Sequence, residues 1–134
     1  MKKIWRLAAA AALCGCAALD LGGRRLSRNA ELSTAEGSVS FRRNDDGETG
    51  IALRVAHMAE PDRLADPGYV YVAWVQGGVD DPPQIIGVLD LGADRGGTLS
   101  GETPLRRFQF FVTAESARDV ERPAGPPLLW ASRD

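Results

Sequence analysis

Beyond residue 35 the chain alternates apolar and polar positions in short segments set between turn-forming residues, the pattern of strands that turn one face to a core. Val39 and Phe41 alternate with Ser38, Ser40 and Arg42, and Ile51, Leu53 and Val55 alternate with Ala52, Arg54 and Ala56. Between them Asn44-Asp45-Asp46-Gly47 is a turn, so a first hairpin is expected here. Residues 69–76, YVYVAWVQ, are apolar on both faces and rich in aromatic and β-branched types, which predicts a central strand. After the turn cluster GGVDDPP at 77–83 a strand is expected over 84–91, Gly96-Gly97 marks a further turn, and FQFFVTAE at 108–115 reads as another strand. LLWAS at 128–132, delimited by Pro126 and Pro127, predicts the last one. Met58 to Asp66 has enough helix formers for one turn of helix, confined by Pro61 and Pro67. The expected fold is all-β, a small Ig-like β-sandwich of six or seven antiparallel strands over residues 36–134.

The first residues follow a different rule. MKKIWRLAAAAALCGC places Lys2, Lys3 and Arg6 before an apolar run from Leu7 to Leu13, followed by small residues. This is the tripartite pattern of a secretory signal, and the run is far short of the roughly 20 residues of a membrane-spanning helix. Its end, Leu13-Cys14-Gly15-Cys16, resembles the lipobox of bacterial lipoproteins. The resemblance implies cleavage between Gly15 and Cys16 and a lipid on Cys16, since modification of Cys14 would put bulky Leu13 before the cut. With two or three acyl chains such an anchor is effectively permanent. Ala17, rather than Asp, follows Cys16, which in a Gram-negative host implies transport to the outer membrane, facing the periplasm.

The chain is therefore expected to divide into a signal peptide over 1–15, a lipidated cysteine and flexible tether over 16–35, and the sandwich. The stretch 17–35 shows neither strand nor helix periodicity, holds Gly22-Gly23, and would reach about 60 Å if fully extended. Arg24, Arg25 and Arg28 within it are either solvated linker charges or contacts to anionic headgroups. With its cysteine lipidated the exported chain has no thiol left for a disulfide, so its stability must rest on packing.

Composition adds constraints rather than a function. At 44% hydrophobic and 25% charged residues the chain is that of an ordinary globular protein. After removal of residues 1–15, 13 arginines face 18 acidic residues, a formal charge of −5. That balance argues against nucleic acid, which needs a basic face.

Residues 69–131 resemble the extracytoplasmic C-terminal domain of anti-sigma-K factors. The matching pieces are YVAWV at 71–75, IIGVLDLG at 85–92 and FVTAESARDVERPAGPPLLWA at 111–131. Within the last, Val112, Thr113 and Glu115 fill a Val-Thr-x-Glu motif, and Pro123, Gly125 and Pro126 fill Pro-x-Gly-Pro. The resemblance implies a β-sandwich in which the loop after the Val-Thr-x-Glu strand closes on the second motif. It does not extend to the helical domain that grips a sigma factor, so it carries a fold and not anti-sigma activity.

Few residues suggest chemistry. His57 is the only histidine, and no Gly-x-Ser-x-Gly elbow occurs, which leaves a hydrolase built on His57 as a remote alternative. Asp45-Asp46 and Asp80-Asp81 are oxygen-rich but lack the alternate spacing of a calcium loop, and are read as turns. No catalytic residue, metal or cofactor is expected. Tyr69, Tyr71, Trp74 and Trp130 could make an aromatic platform for sugar or peptide. Trp74 is expected to pack between the sheets, with Tyr69 and Tyr71 on the opposite face as the candidate partner-binding residues. The leading expectation is a membrane-anchored envelope lipoprotein whose sandwich binds an unidentified envelope protein or takes part in sensing; a carbohydrate or cell-wall binding module is the alternative.

Overall fold

The computed structural model describes residues 23–28, 35–59 and 70–134, so the expected cleavage site, Cys16 and Tyr69 lie outside the described residues. Nine strands occur among them: β1 Gly23–Arg25, β2 Ser27–Arg28, β3 Glu36–Arg43, β4 Thr49–Ala56, β5 Val70–Gln76, β6 Gln84–Leu89, β7 Gly97–Thr103, β8 Phe108–Glu115 and β9 Leu129–Arg133. They form two antiparallel sheets, β1-β3-β4-β7 and β2-β9-β8-β5-β6, packed as a small β-sandwich.

Alternation decides which side chains enter the space between the sheets. In the β3–β4 hairpin Val39 pairs with Leu53 and Phe41 with Ile51, and these face inward while Ala52 and Arg54 face out. The turn between the strands is held by the Asn44 N–H on the Glu48 carbonyl (2.8 Å) and the Glu48 N–H on Asp46 Oδ1 (3.0 Å), with Gly47 at a φ of +86°. The Asp45-Asp46 pair thus shapes a turn, by the side-chain capping that suits Asp there. From the other sheet β5 contributes Tyr71, Ala73 and Val75, β8 contributes Phe108, Phe110 and Val112, and β9 contributes Leu129. Phe41 meets Phe108 edge to face at 5.1 Å across the layers, a favoured aromatic geometry.

Three strands were not expected. Strand β7, GTLSGET, lacks a run of bulky side chains because it crosses close to β6 where the chain passes from one sheet to the other. A Cβ at Gly97 would lie 2.7 Å from the Asp90 carbonyl oxygen, and one at Gly101 would lie 2.6 Å from Ile86 Cγ2. The other two, β1 and β2, correct the tether. Residues 23–25 pair with β3 and residues 27–28 with β9, so one short segment borders both sheets on the same side. Leu26, between them, is buried in the inter-sheet core, and its N–H donates to the Gly37 carbonyl at 3.0 Å. Among the described residues the sandwich therefore already includes Gly23–Arg28, upstream of the expected start at residue 36. Arg24 is no linker residue: it donates to the Ser132 carbonyl of β9 (2.5 Å) and lies 5.5 Å from the centre of the Phe41 ring. The helical turn expected over 58–66 is not seen at Met58 and Ala59, where Met58 is fully buried, and residues 60–66 lie outside the described residues.

A tether residue can lose its side chain without consequence, whereas a core leucine cannot. Leu26→Ala is expected to destabilise the protein by about 2–5 kcal/mol in urea unfolding, with exposed Arg25→Ala changing stability by no more than about 0.5 kcal/mol.

Candidate functional site

Strand β5 has apolar side chains on both faces, and its outer face, turned away from the other sheet, also needs a cover. Val72 and Trp74 of β5 form a second buried cluster there with Phe111 of β8, against which Val70, Val88 and Val120 pack. Val120 belongs to the loop 116–127, which folds back over this face.

A buried carboxylate pins that loop. Glu115, at the end of β8, is 1% exposed and accepts the backbone N–H groups of Ala124 (3.0 Å to Oε1 and 3.1 Å to Oε2) and Gly125 (3.4 Å to Oε2). The Thr113 hydroxyl donates to Glu115 Oε2 at 2.5 Å, and the Trp74 indole Nε1–H donates to Thr113 Oγ1 at 2.9 Å. The chain of donors runs from the sheet to the loop and satisfies a carboxylate that would otherwise be costly to bury. Val-Thr-x-Glu and Pro-x-Gly-Pro are thereby joined in space, with Thr113 and Glu115 fixing the loop. Gly125 sits tightly, since a Cβ there would lie 3.0 Å from the Ala114 carbonyl oxygen.

On the exposed side, Arg118 grips Asp90 through both guanidinium nitrogens at 3.0 and 3.1 Å. Hydrogen bonding from Arg118 is the main cause that holds the Asp90 carboxyl below its usual range, opposed by desolvation and aided by the Arg118 charge. A lowered carboxyl pKa means that the clip is intact above the ordinary Asp range and opens as pH falls through the lowered value. Both groups are well exposed, so salt screens the pair and its energetic weight is small.

The loop leaves one end of the outer face open. There Gln76, Gln109 and Ser132 stand side by side on β5, β8 and β9, as the pairings Gln76 with Gln109 and Gln109 with Ser132 require. They belong to the lining of a depression of about 420 Å³ that also takes in Val79, Arg107, Arg133 and Asp134. In the next row of the same face Trp130 pairs with Phe111, Phe111 with Trp74 and Trp74 with Ile85. The inner two of this row are buried, while Trp130 and Ile85 at its ends are 36% and 44% exposed. Together with Val79 these are the large hydrophobic residues left exposed among the described residues; Val79 lines the depression, and Trp130 lies in the adjoining row two residues from Ser132. Three further depressions, of about 350 to 440 Å³, lie on the four-stranded sheet; Ser38, Ser40, Arg54, Thr98, Ser100 and Glu102 are among their lining residues, and none of them is lined by an aromatic ring.

The aromatic residues have exchanged their expected places. Tyr71 is not exposed: it is fully buried between the sheets, and its hydroxyl donates to the Ala59 carbonyl at 2.6 Å. It is therefore no partner-binding residue in this fold. Trp74 is buried as expected, but on the outer face beside the loop and not between the sheets. The alternation had placed the two on opposite faces correctly; which face met the second sheet could not be read from a strand apolar on both sides. His57 lies exposed just after β4 with φ at +57°. Among the described residues no group of three or more His, Cys, Asp or Glu converges as a metal site. Gln76, Gln109 and Ser132 were not singled out from sequence, because isolated polar residues at strand ends carry no local signal.

No known protein family, curated protein or solved structure matches this chain. Removing the loop's carboxylate should be felt in both the loop and the sheet. Glu115→Ala is expected to cost about 3 kcal/mol, to release the Ala124 and Gly125 amides to hydrogen exchange, and to alter the near-ultraviolet circular dichroism of Trp74.

Proposed function

We propose that this chain is a cell-envelope lipoprotein, lipidated on Cys16 and held at a membrane, whose β-sandwich is a non-catalytic binding or sensing module. Support for the anchor comes from the basic, apolar and small-residue order of residues 1–16 and the Leu-Cys-Gly-Cys ending. Support for the module comes above all from the open strip of the five-stranded sheet. Its side chains stand on paired strands beside a loop pinned by Glu115, so little conformational freedom remains to be lost on binding. Exposed Val79 lines the depression where the polar side chains converge and exposed Trp130 stands in the adjoining row, a mixture found at recognition surfaces. The likeness to the anti-sigma-K extracytoplasmic domain rests on the sequence of residues 69–131 and is proposed for the domain alone, not for its activity.

The corrected start of the sandwich changes how such an anchor would work. Residues 17–22 alone separate Cys16 from β1, a reach of about 20–25 Å at full extension in place of about 60 Å. The domain would be held against the membrane surface, facing the periplasm if the host is Gram-negative, and would meet partners there and not at a distance.

Mass spectrometry of membrane fractions is expected to find a chain beginning at Cys16 and carrying acyl groups, and Cys16→Ala is expected to abolish both the cleavage and the acyl mass. An unmodified wild-type chain would end the lipoprotein reading. For the module, a photoreactive residue in place of Gln109 is expected to cross-link to an envelope component in intact cells. The same group in place of Thr98, on the opposite outer face, is expected to give no such product.

A further inference from the structure

We infer that the open strip of the five-stranded sheet is a saccharide-binding site; this deepens the binding-module reading and rests on it. The central residues are Gln76, Gln109 and Ser132, with Trp130 beside them. On three adjacent strands at a spacing of about 4.8 Å the three polar side chains span about 10 Å. A side-chain amide carries a donor and an acceptor in one plane, which matches neighbouring hydroxyls of a sugar, each able to donate and to accept. Gln76 uses one amide hydrogen on the Asp81 carbonyl at 2.8 Å, and Gln109 directs one at Ser132 Oγ at 3.4 Å. These bonds orient both amides and leave most of their hydrogen-bonding capacity for a ligand.

Trp130 supplies the second element of sugar recognition. It lies two residues before Ser132 on the same face of β9, about 7 Å along the strand. A flat indole presents an apolar surface to the C–H face of a pyranose ring while its neighbours bond the hydroxyls. Val79 adds an apolar margin on the other side of the depression, and Arg107 and Asp134 bring one charge of each sign. Arg133 is tied to the Arg106 carbonyl. Donating to a neutral carbonyl leaves Arg133 charged, so the lining bears two cations and one anion, which suits a neutral or weakly acidic glycan.

The same geometry disfavours an extended peptide. Peptides that add to sheets use unpaired main-chain groups at an edge strand. Here β5 and β8 are internal to the sheet, and at β9, beyond its pairing with β2, the Ser132 carbonyl is taken by Arg24, so the strip offers mainly side chains.

Isothermal titration of the full chain in detergent with chitotetraose and with cellotetraose tests the inference, with tryptophan emission followed in parallel. Binding of at least one saccharide is expected, with an emission change that Trp130→Ala removes. Trp130→Ala and Gln109→Ala should each weaken binding by about tenfold or more, Trp130→Phe should restore part of it, and Thr98→Ala should leave it unchanged. Because the two altered side chains are exposed, each variant should keep the wild-type circular dichroism and melting temperature. The absence of heat and emission change with both saccharides would overturn the inference, as would binding that survives both variants. If the saccharides fail but the Gln109 cross-link captures an envelope protein, the binding module stands and its ligand is a protein. If both fail, the binding-module reading fails with it.

Discussion

Strand β5 is apolar on both faces, and that double burial organises the rest of the molecule. Tyr71, Ala73 and Val75 can be taken out of water only by a second sheet, which the β3–β4 hairpin and β7 provide. Val72 and Trp74 on the other side need a separate cover, and among the described residues no third sheet supplies it. The chain meets the need with the loop after β8, a segment without regular structure whose own backbone must then find partners. Glu115 answers that requirement by accepting two loop amides, while Thr113 and the Trp74 indole complete its shell. One buried carboxylate thus links the residue that most needs covering to the segment that covers it.

Two other features follow from keeping a small sandwich closed. At one side a segment of six residues, 23–28, borders both sheets and inserts Leu26 between them, which limits the exposed edge available for unwanted strand pairing. At the other side β6 and β7 approach so closely that glycine is required at positions 97 and 101. The strip between Gln76 and Ser132 is what remains when the loop has covered the rest of the outer face. Its rigidity comes from the same interactions that stabilise the fold. A surface built this way changes little on binding, as expected for recognition sites on pre-organised scaffolds.

Placing the first strand at Gly23 also couples fold and anchor. A lipid on Cys16 would leave six residues before the sandwich, short enough to restrict the orientations the domain can take at a membrane. The proposed role, a short-leashed module presenting a fixed recognition strip, depends on that proximity.

Much of the architecture was legible in the amino-acid sequence. Alternation and turn residues located β3, β4, β5, β6, β8 and β9 to within a few residues. These are local properties: a strand's period and a turn's chemistry need no knowledge of what lies across the core. Strands β1, β2 and β7 escaped because polar or glycine-rich segments become strands only when a neighbouring edge or a close approach demands it. The choice between the two faces of β5 escaped for a related reason. A strand apolar on both sides does not say which side meets the sheet and which the loop, so Tyr71 and Trp74 acquired their places only in the assembled fold. The strip itself is wholly tertiary, since Gln76, Gln109 and Ser132 lie far apart along the chain and are made neighbours by strand register alone.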